Sequence, residues 1–408
     1  MIKTKKDKKH LLVISQYFYP EQFRINDMCE EWIKRGYKVT VVTGIPNYPE
    51  GRFFSGYNWL KRRKEKYKGI DIIRIPLIPR GNHTVMLILN YLSFVLSGFF
   101  WAHFTKIEAD KVFIYEVSPM TQALLGIWYA KRKKIDCYIY VMDLWPENIE
   151  SITGIKNPLI IGLLSRMVHY IYKNSSKIFT ASKSFIGEIK KRKIEEERLV
   201  FLPQYAEDFY IPQKSRTNEI LLDDRFNLTF AGNIGEAQGL NILPDVACVL
   251  KQNNLLIRFN IIGDGRYKKQ LIKEIELKSI SEYFNFIDKK PAKEIPYYLA
   301  NSDAALISLA KSSVFDKTIP AKTQSYLACG IPIIVSADGE IQEVIKEAKA
   351  GFIGDSGDVS QFVTNIRKMI CLTEQEKKQL GKNAYQYYQS NFAKEKVFKL
   401  LDNYMGEK

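Results

Sequence analysis

Short apolar runs recur along the chain, each followed by a turn-rich loop and a stretch of helical spacing. Residues 11–15 read LLVIS and residues 39–43 read VTVVT, with no charge among them. Runs of this kind suit strands of a parallel sheet covered on both faces. Between them residues 25–35 have helical spacing and Gly36 ends it, so the chain opens as β-α-β. The same alternation predicts strands at 70–76, 110–115, 137–142, 177–180 and 200–202, with helices at 121–131 and 182–191. A first parallel sheet of about seven strands results. Residues 203–227 are polar and without a strong period, so 207–227 are taken as a linker. A second series follows, with strands at 228–231, 258–262, 284–287, 304–309 and 331–335. A helix that stops at Gly330 precedes the last of these, and residues 374–405 are helical throughout. Sheets of this class bind ligands in the loops beyond the carboxyl ends of their strands.

Thr84–Phe104 breaks the pattern. It has the length of a transmembrane helix, yet Asn90, Ser93, Ser97 and His103 recur within it. A true span, a buried helix and a helix that dips one apolar face into a membrane surface all remain open. Basic segments on either side favour the third over the first. The net charge is +16, and residues 1–110 hold 19 Lys/Arg against 10 Asp/Glu, in runs such as Lys61 to Lys64. Further clusters lie at 131–134 and 190–193. Nucleic acid, an anionic membrane or a phosphorylated substrate could draw this charge, and solvated helix faces would explain it without any partner. No nucleic-acid module accompanies it, so no nucleic-acid partner is expected. Five scattered cysteines argue against a disulfide frame or a zinc site, and a reducing cytoplasm fits them. The Lys-rich start, 1–9, is expected to be disordered, and the apolar run comes too late for a signal peptide.

Three loops of the second series could carry chemistry. The stretch from Gly232 to Gly239 follows a strand and opens a helix, where glycines allow close approach and a helix N-terminus suits a phosphate. It lacks the third glycine of the dinucleotide fingerprint, and a plain turn is the alternative. Gly263, Asp264 and Gly265 occupy the same place one unit later. The third loop, Asp316 to Lys322, offers two ammonium groups and the Thr318 hydroxyl just before a helix. Lys322 would neutralise a leaving diphosphate if these loops converge. In the first series Asp143 and Glu147 end a strand, where a carboxylate could receive a proton or bind a sugar hydroxyl. Trp145 between them offers a face for stacking a pyranose. His10, His83, His103 and His169 have no metal-like neighbours, and no metal is expected.

The motifs Gln16 to Glu21 (QYFYPE), Thr43 to Pro49 (TGIPNYP), Asp143 to Glu147 (DLWPE), Phe230 to Gly239 (FAGNIGEAQG) and Thr318 to Lys322 (TIPAK) together resemble the family 4 glycosyltransferases of the GT-B fold. Within that family the chain is most similar to bacterial enzymes that add N-acetylfucosamine or a related deoxy-aminosugar during O-antigen or capsule assembly. The resemblance implies an α/β fold of two Rossmann-like doubly wound domains facing across a cleft. Residues 1–206 would be the acceptor side and 228–385 the nucleotide-sugar side, with a helix at 386–408 returning to the first domain. It also implies a UDP-sugar donor held by Gly232, Asn233, Gly235, Gln238, Gly239, Gly263, Asp264, Gly265, Lys290, Pro291, Thr318 and Ser325. Lys322, Asp143 and Glu147 would be catalytic. Tyr19, Pro20, Glu21, Arg24, Asn47 and Trp145 would serve the acceptor. The chain departs from the family where a Glu-x7-Glu pair is usual, since Lys317 and Ser325 stand there, and Met142 stands where many relatives have His. Asn233 and Gln238 replace the usual Arg and Lys.

These readings combine into an expected retaining transferase that needs no cofactor or metal. It would move an N-acetylated 6-deoxyhexose from UDP to a polyprenyl-diphosphate-linked saccharide. It would work as a peripheral protein on the inner face of the cytoplasmic membrane, attached through Thr84–Phe104 and the basic N-terminal segments. A UDP-sugar epimerase of the same fold and a non-catalytic membrane-bound scaffold are the alternatives.

Overall fold

The structure, a computed structural model, describes residues 9–149, 157–215 and 217–406; most of the Lys-rich start lies outside them. Two compact units form. One runs to Ala181 and includes Phe185–Leu202; the other takes Ser182–Ser184 and the chain from Pro203 onward.

In the first unit the strands are β1 (His10–Ile14), β2 (Lys38–Thr43), β3 (Lys64–Tyr67), β4 (Ile70–Arg74), β5 (Lys111–Glu116), β6 (Asp136–Val141), β7 (Lys177–Thr180) and β8 (Leu199–Phe201). Their order is β3-β4-β2-β1-β5-β6-β7-β8, and all pairs are parallel except β3–β4. Helix α1 (Arg24–Lys34) lays Trp32 edge-on against Phe113 on one face. On the other face α3 (Ala123–Lys133) brings Gly126 against Ile14 and Ile114. Covering both faces explains why the strands read as continuous apolar runs. The sequence pattern misses β3, which reads KEKY and alternates between exposed and half-buried positions. A charged strand suits the edge of a sheet, where Lys blocks further pairing, and it leaves no apolar period to read.

The 21 residues of α2 (Thr84–Phe104) pack on α3 through Tyr91, Phe94 and Gly98, the last against the Leu125 side chain. Asn90, Ser93 and Ser97 point inward. Asn90 accepts from Gln16 Nε2 at 2.7 Å and donates to the Ile78 carbonyl at 2.6 Å, while Ser97 donates to the Pro76 carbonyl at 2.6 Å. Ser93 accepts from the Ile78 N–H at 2.9 Å. These contacts satisfy the backbone of the segment after β4, which has no strand to pair with there. The apolar residues are left outside: Val85 is 68% exposed, Leu96 62% and Phe104 75%. Nearby α4 (Pro158–Lys173), which also contacts α3, exposes Leu159, Ile160 and Leu163.

The second unit has β9 (Phe226–Ala231), β10 (Ile257–Ile262), β11 (Phe284–Ile287), β12 (Ala304–Ser308), β13 (Ile333–Ser336) and β14 (Gly351–Gly354), all parallel, in the order β11-β10-β9-β12-β13-β14. This is the doubly wound Rossmann order. Helices α5 (Leu243–Gln252) and α6 (Lys268–Leu277) follow the first two strands. Helix α7 (Ala321–Ala328) leads to Gly330, left-handed at φ 66°, and on to β13. The tail is two helices rather than one: α8 (Glu374–Asn391) and α9 (Lys394–Met405). Phe392 turns into the core between them, and its burial interrupts the helical path. On α8 the backbone at Gly381 comes so close to the turn after α7 that a β-carbon would lie 2.3 Å from the Gly330 carbonyl oxygen. Helix α9 packs Phe398 on Tyr205 and pairs Lys394 with Asp208 at 3.1 Å.

Candidate functional site

The order of the second sheet reverses at β9: β10 and β11 lie to one side of it, β12 to β14 to the other. Such a reversal places a crevice at the carboxyl ends of β9 and β12, where Ala310 N–H donates to the Ala237 carbonyl at 3.0 Å and joins the two loops. Lys322, in the first turn of α7, reaches into it. Its Nζ donates to Gln238 Oε1 at 2.5 Å and sits 3.7 Å from the centroid of the Phe230 ring. No carboxylate pairs with it among the described residues. Withdrawal of the ammonium end from water lowers its pKa to about 7, because the charged form is the one that loses hydration. Thr318 Oγ1 donates to the Phe315 carbonyl at 2.8 Å and shapes the turn before α7. Ser325 is buried one helical turn beyond Lys322, with no hydrogen-bond partner for its hydroxyl among the described residues.

The two glycine loops are locked together. Gly232 N–H donates to the Ile262 carbonyl at 3.0 Å and Ile234 N–H to the Asp264 carbonyl at 2.8 Å. A β-carbon on Gly263 would lie 2.0 Å from the Gly232 oxygen, and one on Gly265 would lie 2.2 Å from the Ile234 oxygen. Loop-to-loop packing thus requires both glycines whether or not a ligand is present. Asn233 and Asp264 are exposed at the rim, and Gly235, Gln238 and Gly239 complete the first loop. Lys290, beside exposed Pro291, is engaged by Glu219 at 2.8 Å, which pushes its pKa up to about 12. A cavity of about 420 Å³ next to the first loop is lined by Glu236, Asn241, Tyr267, Gln270 and Glu274. Its two carboxylates disfavour a diphosphate there.

In the first unit the corresponding reversal lies at β1, between β2 and β5. Gln122 Oε1 accepts from the Gln16 N–H at 2.7 Å and ties the two loops together. Glu21 is buried and accepts from the N–H groups of Tyr48 at 2.7 Å and Asn47 at 2.8 Å, fastening the loop after β2 to the loop after β1. Burial raises its pKa to about 7 against the pull of those donors. Tyr19 stacks on Tyr67 at 3.7 Å and, with Pro20, lines a cavity of about 650 Å³ shared with Arg52, Phe53, Tyr57 and Arg62. Arg24, half-buried, opens α1. Asp143 Oδ2 accepts from both the N–H and the hydroxyl of Ser118 at 2.8 Å, and burial raises its pKa. At the end of β5, Glu116 is fully buried with neither carboxylate oxygen hydrogen-bonded, and burial drives its pKa well above the usual carboxylate range.

Residues 213–387 match the family model described as glycosyl transferases group 1. The match falls within the second unit. Over 326 residues the chain is 24% identical to the colanic acid biosynthesis glycosyl transferase WcaI of Escherichia coli K12, covering 76% of this chain and 77% of that protein. Sucrose-phosphate synthase of Thermosynechococcus elongatus superposes with a TM-score of 0.73 at 12% identity, covering 98% of each chain. Anabaena HepE in complex with UDP and glucose superposes at 0.70 and 13% identity, over 98% of this chain and 100% of that one. The fold is GT-B.

Against that fold two expectations for the first unit change. Trp145 is only 2% exposed, with Nε1 donating to Ser118 Oγ at 3.0 Å and its ring edge-on to Tyr91. It is a core residue, so its face is not open for a pyranose. Glu147 is turned to Arg192 at 2.6 Å and is committed to that ion pair. In the second unit Lys322 and Gln238 do meet, joining the loop after β12 to the loop after β9. The motifs give no sign of Ser118, Tyr91 or Arg80: Ser118 sits in a loop with Pro119, and the other two belong to a segment whose apolar character dominates its reading.

Proposed function

We propose that the chain transfers a sugar from a UDP-sugar to a lipid-diphosphate-linked saccharide during surface polysaccharide assembly. One observation carries this reading: Lys322 brings an amine with no carboxylate partner among the described residues to the crevice of the second sheet. A diphosphate would supply that partner. In the reaction a bond forms between an acceptor oxygen and the sugar's anomeric carbon, the bond from that carbon to the UDP oxygen breaks, and the acceptor hydroxyl gives up a proton. The charge developing on departing UDP is what an ammonium beside the phosphates stabilises. Lys322 is proposed for that role in place of a metal, with Asp143, held by Ser118, as the carboxylate facing the acceptor hydroxyl. The motif resemblance supports a retaining reaction and an N-acetylated 6-deoxyhexose as the sugar. The outward apolar face of α2 and the excess of basic residues support peripheral attachment to the inner face of the cytoplasmic membrane.

Calorimetric titration with UDP and GDP tests the donor site. UDP is expected to bind in preference to GDP, and Lys322→Ala to weaken it by roughly 10- to 100-fold, the range for a hydrogen bond to a charged group. Acceptor-dependent release of UDP separates transfer from epimerisation. No nucleotide binding to folded protein would overturn the donor site, and binding without turnover across a donor panel would favour the scaffold.

A further inference from the structure

Arg80, in the first unit, carries chemistry that the proposed reaction leaves unused. It lies four residues before α2, and the loop that carries it is pinned twice: Arg80 N–H donates to Asn47 Oδ1 at 2.9 Å and Gly81 N–H to the Gly51 carbonyl at 2.8 Å. Its guanidinium faces aromatic side chains and no acid. Nη1 donates to the Tyr17 hydroxyl at 3.3 Å, the Tyr48 ring lies 5.3 Å away, and no carboxylate pairs with it among the described residues. Arg74, by contrast, has Glu65 at 2.6 Å, and Arg192 has Glu147. A half-buried guanidinium normally takes a partner, because its desolvation is otherwise uncompensated. Of its five N–H groups only one is used here, and a planar fork of donors matches phosphate oxygens.

Two neighbours define which anion fits. Tyr91, in the second turn of α2, lies within electrostatic reach of both Arg80 and Asp143. Tyr17 is buried and stays protonated well above neutral pH; its hydroxyl accepts from Arg80 and is also hydrogen-bonded to Tyr91, which ties the three side chains together. On the other side the exposed ridge of α2 begins at once with Val85 and continues through Leu89, Leu92, Leu96 and Phe100, over a helix roughly 30 Å long. An anionic head at Arg80 would therefore have an apolar track for its tail and a carboxylate beside its first sugar. We propose that Arg80, framed by Tyr17, Tyr48 and Tyr91 at the foot of α2, binds the diphosphate that joins the acceptor saccharide to its lipid. This rests on the lipid-linked acceptor proposed above.

Two assays test it. Transfer is measured with a lipid-diphosphate-linked saccharide and with the same saccharide on a neutral alkyl chain. Arg80→Gln is expected to raise KM for the diphosphate acceptor by about 10- to 100-fold while kcat, KM for the UDP-sugar and all values for the neutral acceptor stay within about twofold, and Arg80→Lys to recover part of the loss. Equal loss on both acceptors, or none on either, would overturn the proposal. Independently of transfer, farnesyl diphosphate and farnesol are titrated in nanodiscs. Binding of the diphosphate alone, lost in Arg80→Gln, upholds the site even if no acceptor is turned over, in which case the transferase reading fails and this site stands. Binding that ignores Arg80, or equal Arg80-dependence with plain phosphatidylglycerol vesicles, refutes it.

Discussion

Lys322 gives the proposed donor site a dependence on pH. In the free protein its pKa is lowered to about 7, so above that pH the side chain is largely neutral, and a bound diphosphate would restore the charge. Binding must then take up a proton. UDP affinity is expected to fall about tenfold per pH unit above 7, and titrations at pH 8 in buffers of different ionisation enthalpy should report nearly one proton gained. The residue was legible in the sequence because its loop precedes a helix at the carboxyl end of a buried strand. Its isolation from carboxylates was not, since that depends on side chains 84 and 92 positions away, Gln238 and Phe230. Trp145 shows the opposite failure. Placed between two carboxylates in the sequence it looks like a sugar platform, yet burial against Ser118 and Tyr91 makes it structural. Trp145→Ala should cost about 3–5 kcal/mol in urea unfolding, and Trp145→Phe far less.

Among the elements, α2 is the one whose role sequence reasoning left open, and the reason is physical. A helix whose sparse polar residues could face either water or the core has no period that names its inner face. The structure supplies that face: Asn90, Ser93 and Ser97 satisfy the backbone after β4, and the apolar ridge is turned outward. Leu92→Glu with Leu96→Glu should lower binding to phosphatidylglycerol vesicles by more than tenfold in sedimentation, since each exposed Leu contributes about 1.5–3 kcal/mol when fully buried. Thermal stability should change little, because neither side chain belongs to the core. The parallel strands were readable for the reason β3 was not. Burial on both faces writes an uninterrupted apolar run, whereas a charged edge writes none.

At the scale of the whole molecule, two units with separate sheets are expected to unfold in more than one calorimetric transition. UDP should raise only the transition of the second unit, by about 2.7 kcal/mol at a hundred times its Kd. The net charge of +16 adds a second dependence. Vesicle binding should weaken as salt rises and screens the basic residues, but leave a salt-resistant part from the α2 ridge. The close approach of Gly381 to the Gly330 carbonyl matters beyond packing, because it sets the far end of the helix that carries Lys322. The C-terminal tail therefore braces the helix that carries Lys322, the residue proposed to meet the nucleotide. A premature stop after residue 373, or a bulky residue in place of Gly381, would be a lesion of donor affinity rather than a harmless trimming of the end.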